Sequence, residues 1–497
     1  MRAVGGAIFT AVLLVLAFPR FNLVWLAPVA LTPLLVAVAR EARIWRRFLL
    51  GYIAGVIYWF GVCYWIEGVL AHYGGLNTVL AWLAFLLFCL IKALHMGVFA
   101  MLAGILMRRW WAMPTVAALW VAIEATNGML GFAWLALGNA GINMGLPMRL
   151  APITSVYGLS FVFMLLATAM ALAVLGRPRR HLLWLLVLPL LILLPELPEA
   201  RPGRQTAVLV QPNVSEDAQW TVESVDNFER NLVALSLRTA LTGGSEQPSL
   251  IVWPEVPAPL YYDEDERLRG YIESLAQEGH AYVLLGVVGH TRQGAPLNSA
   301  ILVSPEGNLV SEYDKMNLVP FGEFVPWPFG FINRITTEAG DFTPGKRIVV
   351  SPIGDHKLGT FICYESVLPN FVRRFVADGA EVLFNLSNDG YFGRSAAREQ
   401  HLEIVRMRAA ENRRWILRST NNGITATIDP AGRLRGMLPP YVRAASRTGF
   451  SYIDSRTIYT RYGDWFPILC GAVAVALLID TWVTRGAKAG VERAPVT

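Results

Sequence analysis

Three short runs in this chain each end on a residue that could do chemistry. "LIVWPE" ends on Glu255, "LVSEYDK" on Lys315 and "LGTFIC" on Cys363. Each alone has an ordinary explanation. A single acid after a strand is usually a cap or a solvated charge, and a single lysine a surface group. A single cysteine is often a small buried hydrophobe. Together they suit one reaction. A thiol attacks a carbonyl as the thiolate. A carboxylate in hydrogen-bond reach can take its proton. An ammonium, with the backbone N–H after the cysteine, can stabilise the oxyanion of a tetrahedral intermediate. That set reads as acyl transfer through a thioester. The pattern after the cysteine, "ESVLPNFVRRFVADG" with Pro369 in its first turn, predicts a helix N-terminus at the thiol, which would lower its pKa further.

The elements that must position these residues alternate. "QTAVLVQPNV" (205–214), "SLIVWPEV" (249–256), "AYVLLGVVG" (281–289), a hairpin over 299–315, "KLGTFICYES" (357–366), "EVLFNLSND" (381–389) and "WILRSTNNGITATID" (415–429) read as strands. Residues 222–241, 264–279 and 395–413 have helical spacing. The pattern is α/β with meander portions, which suggests a layered sandwich. In such sheets the site lies beyond the carboxyl ends of the strands, where all three residues fall.

The rest of the chain is different. Of 497 residues 54% are hydrophobic and only 16% charged, against about 25% charged in soluble proteins. The deficit lies in residues 1–200 and 464–484, while 204–455 has ordinary globular composition. A span needs about twenty apolar residues. Eight candidates lie near 4–18, 23–39, 48–71, 77–107, 112–130, 152–175, 181–197 and 464–484. "AFPRF" is a poor cleavage site and another apolar stretch follows it, so the first span is read as retained. Basic residues follow alternate spans: Arg40, Arg43, Arg46 and Arg47, then Arg108 and Arg109, then Arg177, Arg179 and Arg180, then Arg485 and Lys488. The positive-inside rule makes those loops and both termini cytoplasmic, with 485–497 a cytoplasmic tail, and puts 204–455 outside the cytoplasm. Basic residues so placed set membrane orientation, which argues against a nucleic-acid partner despite a net charge of +6.

Export sharpens the question of the thiol. Of the four cysteines, Cys63, Cys89 and Cys470 lie in apolar spans, and Cys363 is alone in the polar segment. Exported cysteines are usually paired or absent, so an odd one suggests a free, reactive thiol. The chain has no clustered His/Cys ligands and no Walker or Rossmann glycine motif, so neither a metal nor another cofactor is expected. Lys92, His95 and Glu124 fall within spans, where a charge is costly. Glu124 lies toward the exported end, where it could support the site or a head group, or pair structurally. A structural pairing is favoured for Lys92.

With "WPE", "YDK" and "ICYE" in that order, the segment resembles the nitrilase, or carbon–nitrogen hydrolase, superfamily. The resemblance implies an αββα sandwich and a Glu-Lys-Cys triad. With the membrane bundle included, the whole chain resembles the apolipoprotein N-acyltransferase family. "VQPN" (210–213), "KMNLVPFGEFVP" (315–326), "CYES" (363–366), "SNDGYFG" (387–393), "WVAIEATNG" (120–128), "GFAWLALGNA" (131–140) and "YGLSF" (157–161) carry that likeness. It implies Glu255 as general base, Lys315 as oxyanion stabiliser and Cys363 as nucleophile. Glu323 would support the site, and Tyr364 and Glu365 match residues beside the family's nucleophile. Trp220 would lie on a loop near the acyl-chain entrance. At Gly390 and Tyr391, where relatives often show alanine and tryptophan, the sequence departs from the pattern.

The implied reaction is ping-pong. A phospholipid, with phosphatidylethanolamine the expected donor, acylates Cys363. The thioester then acylates the α-amino group of an S-diacylglyceryl-cysteine at an apolipoprotein N-terminus. The implied location is the bacterial inner membrane, multi-pass, with the catalytic domain facing the periplasm, and family likeness suggests a monomer. Two other readings remain open here. A membrane-anchored nitrilase-like amidase would use the same triad with water as acceptor. A non-enzymatic scaffold with a degenerate domain would not need the triad intact.

Overall fold

A computed structural model describes residues 1–199, 203, 205–242, 247–320, 322–324 and 342–491. Part of the "KMNLVPFGEFVP" motif and residues 492–497 of the expected tail lie outside the described residues. The chain divides into two compact units. One comprises residues 1–64, 82–196 and 464–497, and the other residues 65–81 and 197–463.

The first unit is helical. Among the described residues, three helices are long and apolar enough to cross a membrane: Thr78–Leu106, Val156–Val174 and Trp465–Thr484. The bent pair Ile44–Cys63 and Trp65–His72 makes a fourth if counted as one span, where the sequence led us to expect eight. The difference has local causes. Prolines interrupt 23–39, leaving the short helix Thr32–Arg40 with its proline at the start. The candidate at 181–197 falls mostly in a 3₁₀ stretch, Arg179–Leu193, with Pro189 inside. Residues 112–130 give the helix Ala112–Glu124 and then a separate 3₁₀ turn. Lys92 is fully buried, with its ammonium donating to the carbonyls of Asn127 (2.6 Å) and Phe132 (2.8 Å) and lying 5.0 Å from the Trp59 ring centroid. Glu124 accepts from the Leu137 N–H at 2.7 Å and from Trp120 Nε1 at 3.0 Å. His95 Nε2 meets Thr126 Oγ1 at 3.2 Å.

The second unit is a sandwich of two six-stranded sheets. β1 (Gln205–Gln211), β2 (Leu250–Val252), β3 (Tyr282–His290), β4 (Pro296–Val303) and β5 (Leu309–Asp314) run in sequence order through the first. β6 (Val350–Ile353), β7 (His356–Ile362), β8 (Val382–Ser387), β9 (Ile416–Thr420), β10 (Ala426–Ile428) and β11 (Leu434–Met437) do the same in the second. β12 (Ala444–Phe450) returns to the first sheet, antiparallel to β1. The central pairs β1–β2, β2–β3, β7–β8 and β8–β9 are parallel, so their connections must cross over. Helices Val222–Thr242 and Glu266–Gly279 cover the outside of the first sheet, burying Leu232, Leu268, Ile272 and Leu275 against Val208, Ile251 and Val283. Pro369–Ala377 and Ala397–Asn412 serve the second. Where the sheets face each other, Ser419 Oγ on β9 donates to the Val210 carbonyl on β1 at 2.9 Å. This is the expected αββα layering.

The segment 65–81, which the sequence suggested would end one span and start the next, packs with the sandwich instead. Trp65 lies 4.9 Å from the Phe392 ring, Tyr73 lies 5.0 Å from Tyr391, and His72 Nε2 meets Asp217 Oδ1 at 2.9 Å.

Candidate active site

Glu255 stands three residues past the end of β2. Gly286 on β3 allows that approach, since a Cβ there would lie 2.6 Å from the Pro254 carbonyl and 2.7 Å from Glu255 Cα. Lys315 directly follows β5, and its N–H donates to the Asn298 carbonyl on β4 at 2.8 Å. Cys363 directly follows β7. Strand ends from both sheets thus supply the three residues, and all three are buried: Glu255 is 6% exposed, Lys315 1% and Cys363 8%.

One ammonium and one amide hold the carboxylates. Lys315 Nζ donates to Glu255 Oε1 at 3.0 Å and to Glu323 Oε1 at 2.7 Å. Asn298 Nδ2 donates to the same two oxygens at 2.8 Å each. Glu323 Oε2 accepts from the Val319 N–H and Glu255 Oε2 from the Asn388 N–H, both at 2.8 Å. Burial would lower the Lys315 pKa, but Glu255 and Glu323 outweigh it and hold the ammonium well above its ordinary range.

Glu365 ties the lysine loop to the cysteine strand. Its Oε1 accepts from Tyr313 Oη (2.7 Å) and from the N–H groups of Met316 (2.8 Å) and Asn317 (3.1 Å). Its Oε2 accepts from the Ile362 N–H at 2.8 Å. Burial raises its pKa to about 7 although these donors oppose the shift.

The cysteine departs from the expectation of a helix N-terminus. Residues Cys363–Val367 form a 3₁₀ turn and the helix begins only at Pro369. Cys363 itself has φ +47°, a left-handed conformation that costs a non-glycine residue energy. Its carbonyl faces His401 Nε2 at 3.2 Å, and the same nitrogen meets Ser366 Oγ at 2.7 Å. His401 Nδ1 lies 3.1 Å from Asp389 Oδ1, and Asp389 accepts from Arg418 at 2.6 Å. Burial, seconded by Glu255, pushes the Cys363 thiol far up, and Lys315 offsets only part of that. Desolvation therefore favours the protonated thiol at Cys363 and outweighs any helix field.

Of the residues singled out from sequence, the structure joins Glu255, Lys315, Glu323, Cys363 and Glu365 through hydrogen bonds or electrostatic coupling. Tyr364 follows Cys363 in the 3₁₀ turn and is 8% exposed. Trp220 lies on the loop before the helix Val222–Thr242, with its ring 5.4 Å from Phe228 and packed on the apolar core. The hydrogen bonds above do not reach it. Sequence reasoning missed Asn298, Asn388 and Glu216. The available signal for Asn298 was an amide inside the mostly apolar strand "PLNSAILV". Asn388 meets Glu255 through its backbone N–H, a contact that residue type does not reveal.

Among the described residues, no group of three or more His, Cys, Asp or Glu could hold a metal ion.

Comparisons with known proteins identify two families along the chain. Residues 205–442 match the family model for carbon-nitrogen hydrolases, and residues 10–169 match that for the apolipoprotein N-acyltransferase N-terminal domain. An apolipoprotein N-acyltransferase of Geobacter metallireducens is 33% identical over 95% of this chain and 94% of its own length. One of Pseudomonas putida is 31% identical over 95% of this chain and 96% of its own. Among solved structures, the amidase from Nesterenkonia sp. AN1 matches 52% of this chain and 96% of its own, with TM-score 0.38 and 16% identity.

Proposed function

The chain belongs to the apolipoprotein N-acyltransferase family, and we propose that it carries a fatty acyl group from a phospholipid, as a Cys363 thioester, to the amino terminus of a lipoprotein precursor. It is an acyltransferase with a carbon–nitrogen hydrolase catalytic domain. The observation that carries the mechanism is the buried Lys315 ammonium held on Glu255 and Glu323, in one site with the buried Cys363 thiol.

Glu255 takes the thiol proton as Sγ attacks the ester carbonyl of the donor. The electron pair of the C=O bond moves to oxygen, and Lys315 with the backbone N–H after Cys363 stabilises that oxyanion. The intermediate collapses and the lysophospholipid alkoxide leaves, taking the proton from Glu255. In the second half-reaction the α-amino group of the S-diacylglyceryl-cysteine attacks the thioester carbonyl and gives a proton to Glu255. Collapse expels the thiolate, which recovers that proton, and an amide remains on the acceptor. Phosphatidylethanolamine is the donor we expect. In this reading the catalytic domain faces the periplasm of a bacterial inner membrane and both termini are cytoplasmic.

The test is intact-protein mass spectrometry after incubation with phosphatidylethanolamine, beside Cys363→Ala. One acyl mass, labile to neutral hydroxylamine, cleared by a diacylglyceryl peptide and absent from the variant, is the expected result. Lysophospholipid released with no adduct at any time would contradict the thioester, and clearance by water as fast as by the peptide would make the protein a hydrolase.

A further inference from the structure

Glu216 lies on the loop after β1, far in sequence from the triad. Its Oε2 accepts from Asn388 Nδ2 at 2.9 Å, and its Oε1 from Asn421 Nδ2 at 2.9 Å and Asn422 Nδ2 at 3.3 Å. Asn388 follows β8, while Asn421 and Asn422 follow β9, so one carboxylate ties together loops from both sheets.

Asn388 is the link to the chemistry. Its side chain is anchored on Glu216 while its backbone N–H donates to Glu255 Oε2 at 2.8 Å. Its Oδ1 is fixed as well, accepting from the Gly390 N–H and from Asn421 Nδ2, both at 3.3 Å. The Glu255 carboxylate plane is then set from two sides, by Lys315 and Asn298 on Oε1 and by Asn388 on Oε2. A terminal carboxylate torsion is soft, so loss of the donor on Oε2 would let the base turn away.

Gly390 fits the same arrangement. A Cβ built there would overlap Glu216 Oε1 and lie 2.8 Å from Asn422 Nδ2. The side-chain space at position 390 is filled by the carboxylate.

We propose that Glu216 is a positioning residue for acyl transfer, anchoring Asn388 so that its N–H stays on Glu255, and that it requires glycine at position 390. This rests on the reading of Glu255 as the base for the Cys363 thiol.

The experiment uses the full-length protein in lipid and compares Glu216→Ala, Glu216→Gln, Gly390→Ala and the double variant Glu216→Ala/Gly390→Ala. It measures acyl-enzyme formation from phosphatidylethanolamine, kcat and KM for both substrates, and the rate of Cys363 alkylation by iodoacetamide, which needs no lipid. Glu216→Ala and Gly390→Ala should each slow acyl-enzyme formation and alkylation roughly tenfold, the scale of one hydrogen bond to a charged group, with KM unchanged. In the double variant the new methyl no longer meets a carboxylate, so its loss should not exceed that of the worse single variant. Glu216→Gln keeps the volume and one acceptor oxygen and should fall between Glu216→Ala and wild type. Losses that multiply in the double variant would overturn the proposal, as would a wild-type rate in Glu216→Ala. An effect confined to KM for the peptide would also overturn it, and would make Glu216 a binding group for the acceptor's ammonium. If wild type forms no acyl-enzyme but the alkylation rates still show the coupling, the reaction assignment fails and the positioning stands. If wild type is acylated and the variants act independently, only the positioning fails.

Discussion

Replacing Asn298 by alanine tests whether the two buried carboxylates work as one unit. Asn298 is 4% exposed and its amide gives both protons to acids, Glu255 Oε1 and Glu323 Oε1, at 2.8 Å each. A hydrogen bond to a charged group contributes about 1.5–3 kcal/mol. The fold does not depend on this side chain in the same degree, because the backbone carbonyl of residue 298 would still accept from Lys315. If one of the two bonds is felt in the transition state, kcat/KM falls by about ten- to a hundredfold, since each 1.4 kcal/mol is a factor of ten. The assay is single-turnover acylation of Cys363 by phosphatidylethanolamine followed by mass, which isolates the first half-reaction. The loss should appear in the acylation rate and leave donor affinity alone, because Asn298 contacts the base and not a lipid in this scheme. An acylation rate within twofold of wild type, in a protein of unchanged Tm, would refute the claim that Asn298 orients the base.

Three further outcomes follow from the buried site and core. Glu365 is held up to about 7 in the folded chain against an ordinary 4.5, so between those values the folded state keeps a proton that the unfolded chain has released. Its contribution is fully present below that window and is lost as pH rises through it. Glu365→Gln should flatten the fall in Tm between about pH 5 and pH 8, in part only, since Glu216 and Glu403 are also raised to about 7; an unchanged slope would remove Glu365 from the account. Alkylation of wild-type Cys363 should keep accelerating past about pH 9, because a buried neutral thiol has no low-pH thiolate, and a plateau below about pH 7 would show a resting ion pair instead. Trp253 is fully buried under the helix Val222–Thr242, with its Nε1 on Ser236 Oγ at 2.9 Å. Trp253→Ala should destabilise the sandwich by about 3–5 kcal/mol in denaturant titration, and a loss under about 1 kcal/mol would mean the cavity collapses.

The sandwich, and the strand ends that carry Glu255, Lys315 and Cys363, were legible because their signals are local. Short apolar runs bounded by turns mark β1, β4, β7 and β8, and reactive residues at run ends mark Glu255, Lys315 and Cys363. What was not legible depends on contacts between distant segments. Glu365 reads as one more acid in "CYES", yet its four donors come from Tyr313, Met316, Asn317 and Ile362. Burial at the thiol was equally hidden, so the sequence suggested a lowered pKa where desolvation raises it. In the helical unit, composition alone could not show that prolines split the 23–39 stretch or that Arg179–Leu193 winds as 3₁₀. Hydropathy counts apolar residues and does not see the missing N–H that ends a helix.

A second carboxylate beside the lysine looks redundant until the charges are followed through the proposed reaction. The proposed scheme starts from Glu255 and Glu323 as carboxylates, Lys315 as ammonium and Cys363 as thiol, a total of one negative charge. When Glu255 takes the thiol proton and the oxyanion forms, Glu255 becomes neutral and the negative charge moves to the substrate oxygen. The total is unchanged, so a site of low dielectric pays no penalty for creating new charge. Lys315 loses one counter-ion and gains another of the same sign. With Glu255 as its sole partner, the buried ammonium would be unpaired while the proton is in flight, and desolvation would favour giving up its own proton. Glu323, at 2.7 Å, takes no part in the proposed proton transfer and stays as the partner of that ammonium while the oxyanion forms. By this argument Glu323→Gln should cost more in the acylation rate than in the resting stability of the domain. The comparison needs single-turnover acylation and denaturant titration on the same preparation. A stability loss equal to the kinetic loss would leave Glu323 as packing alone.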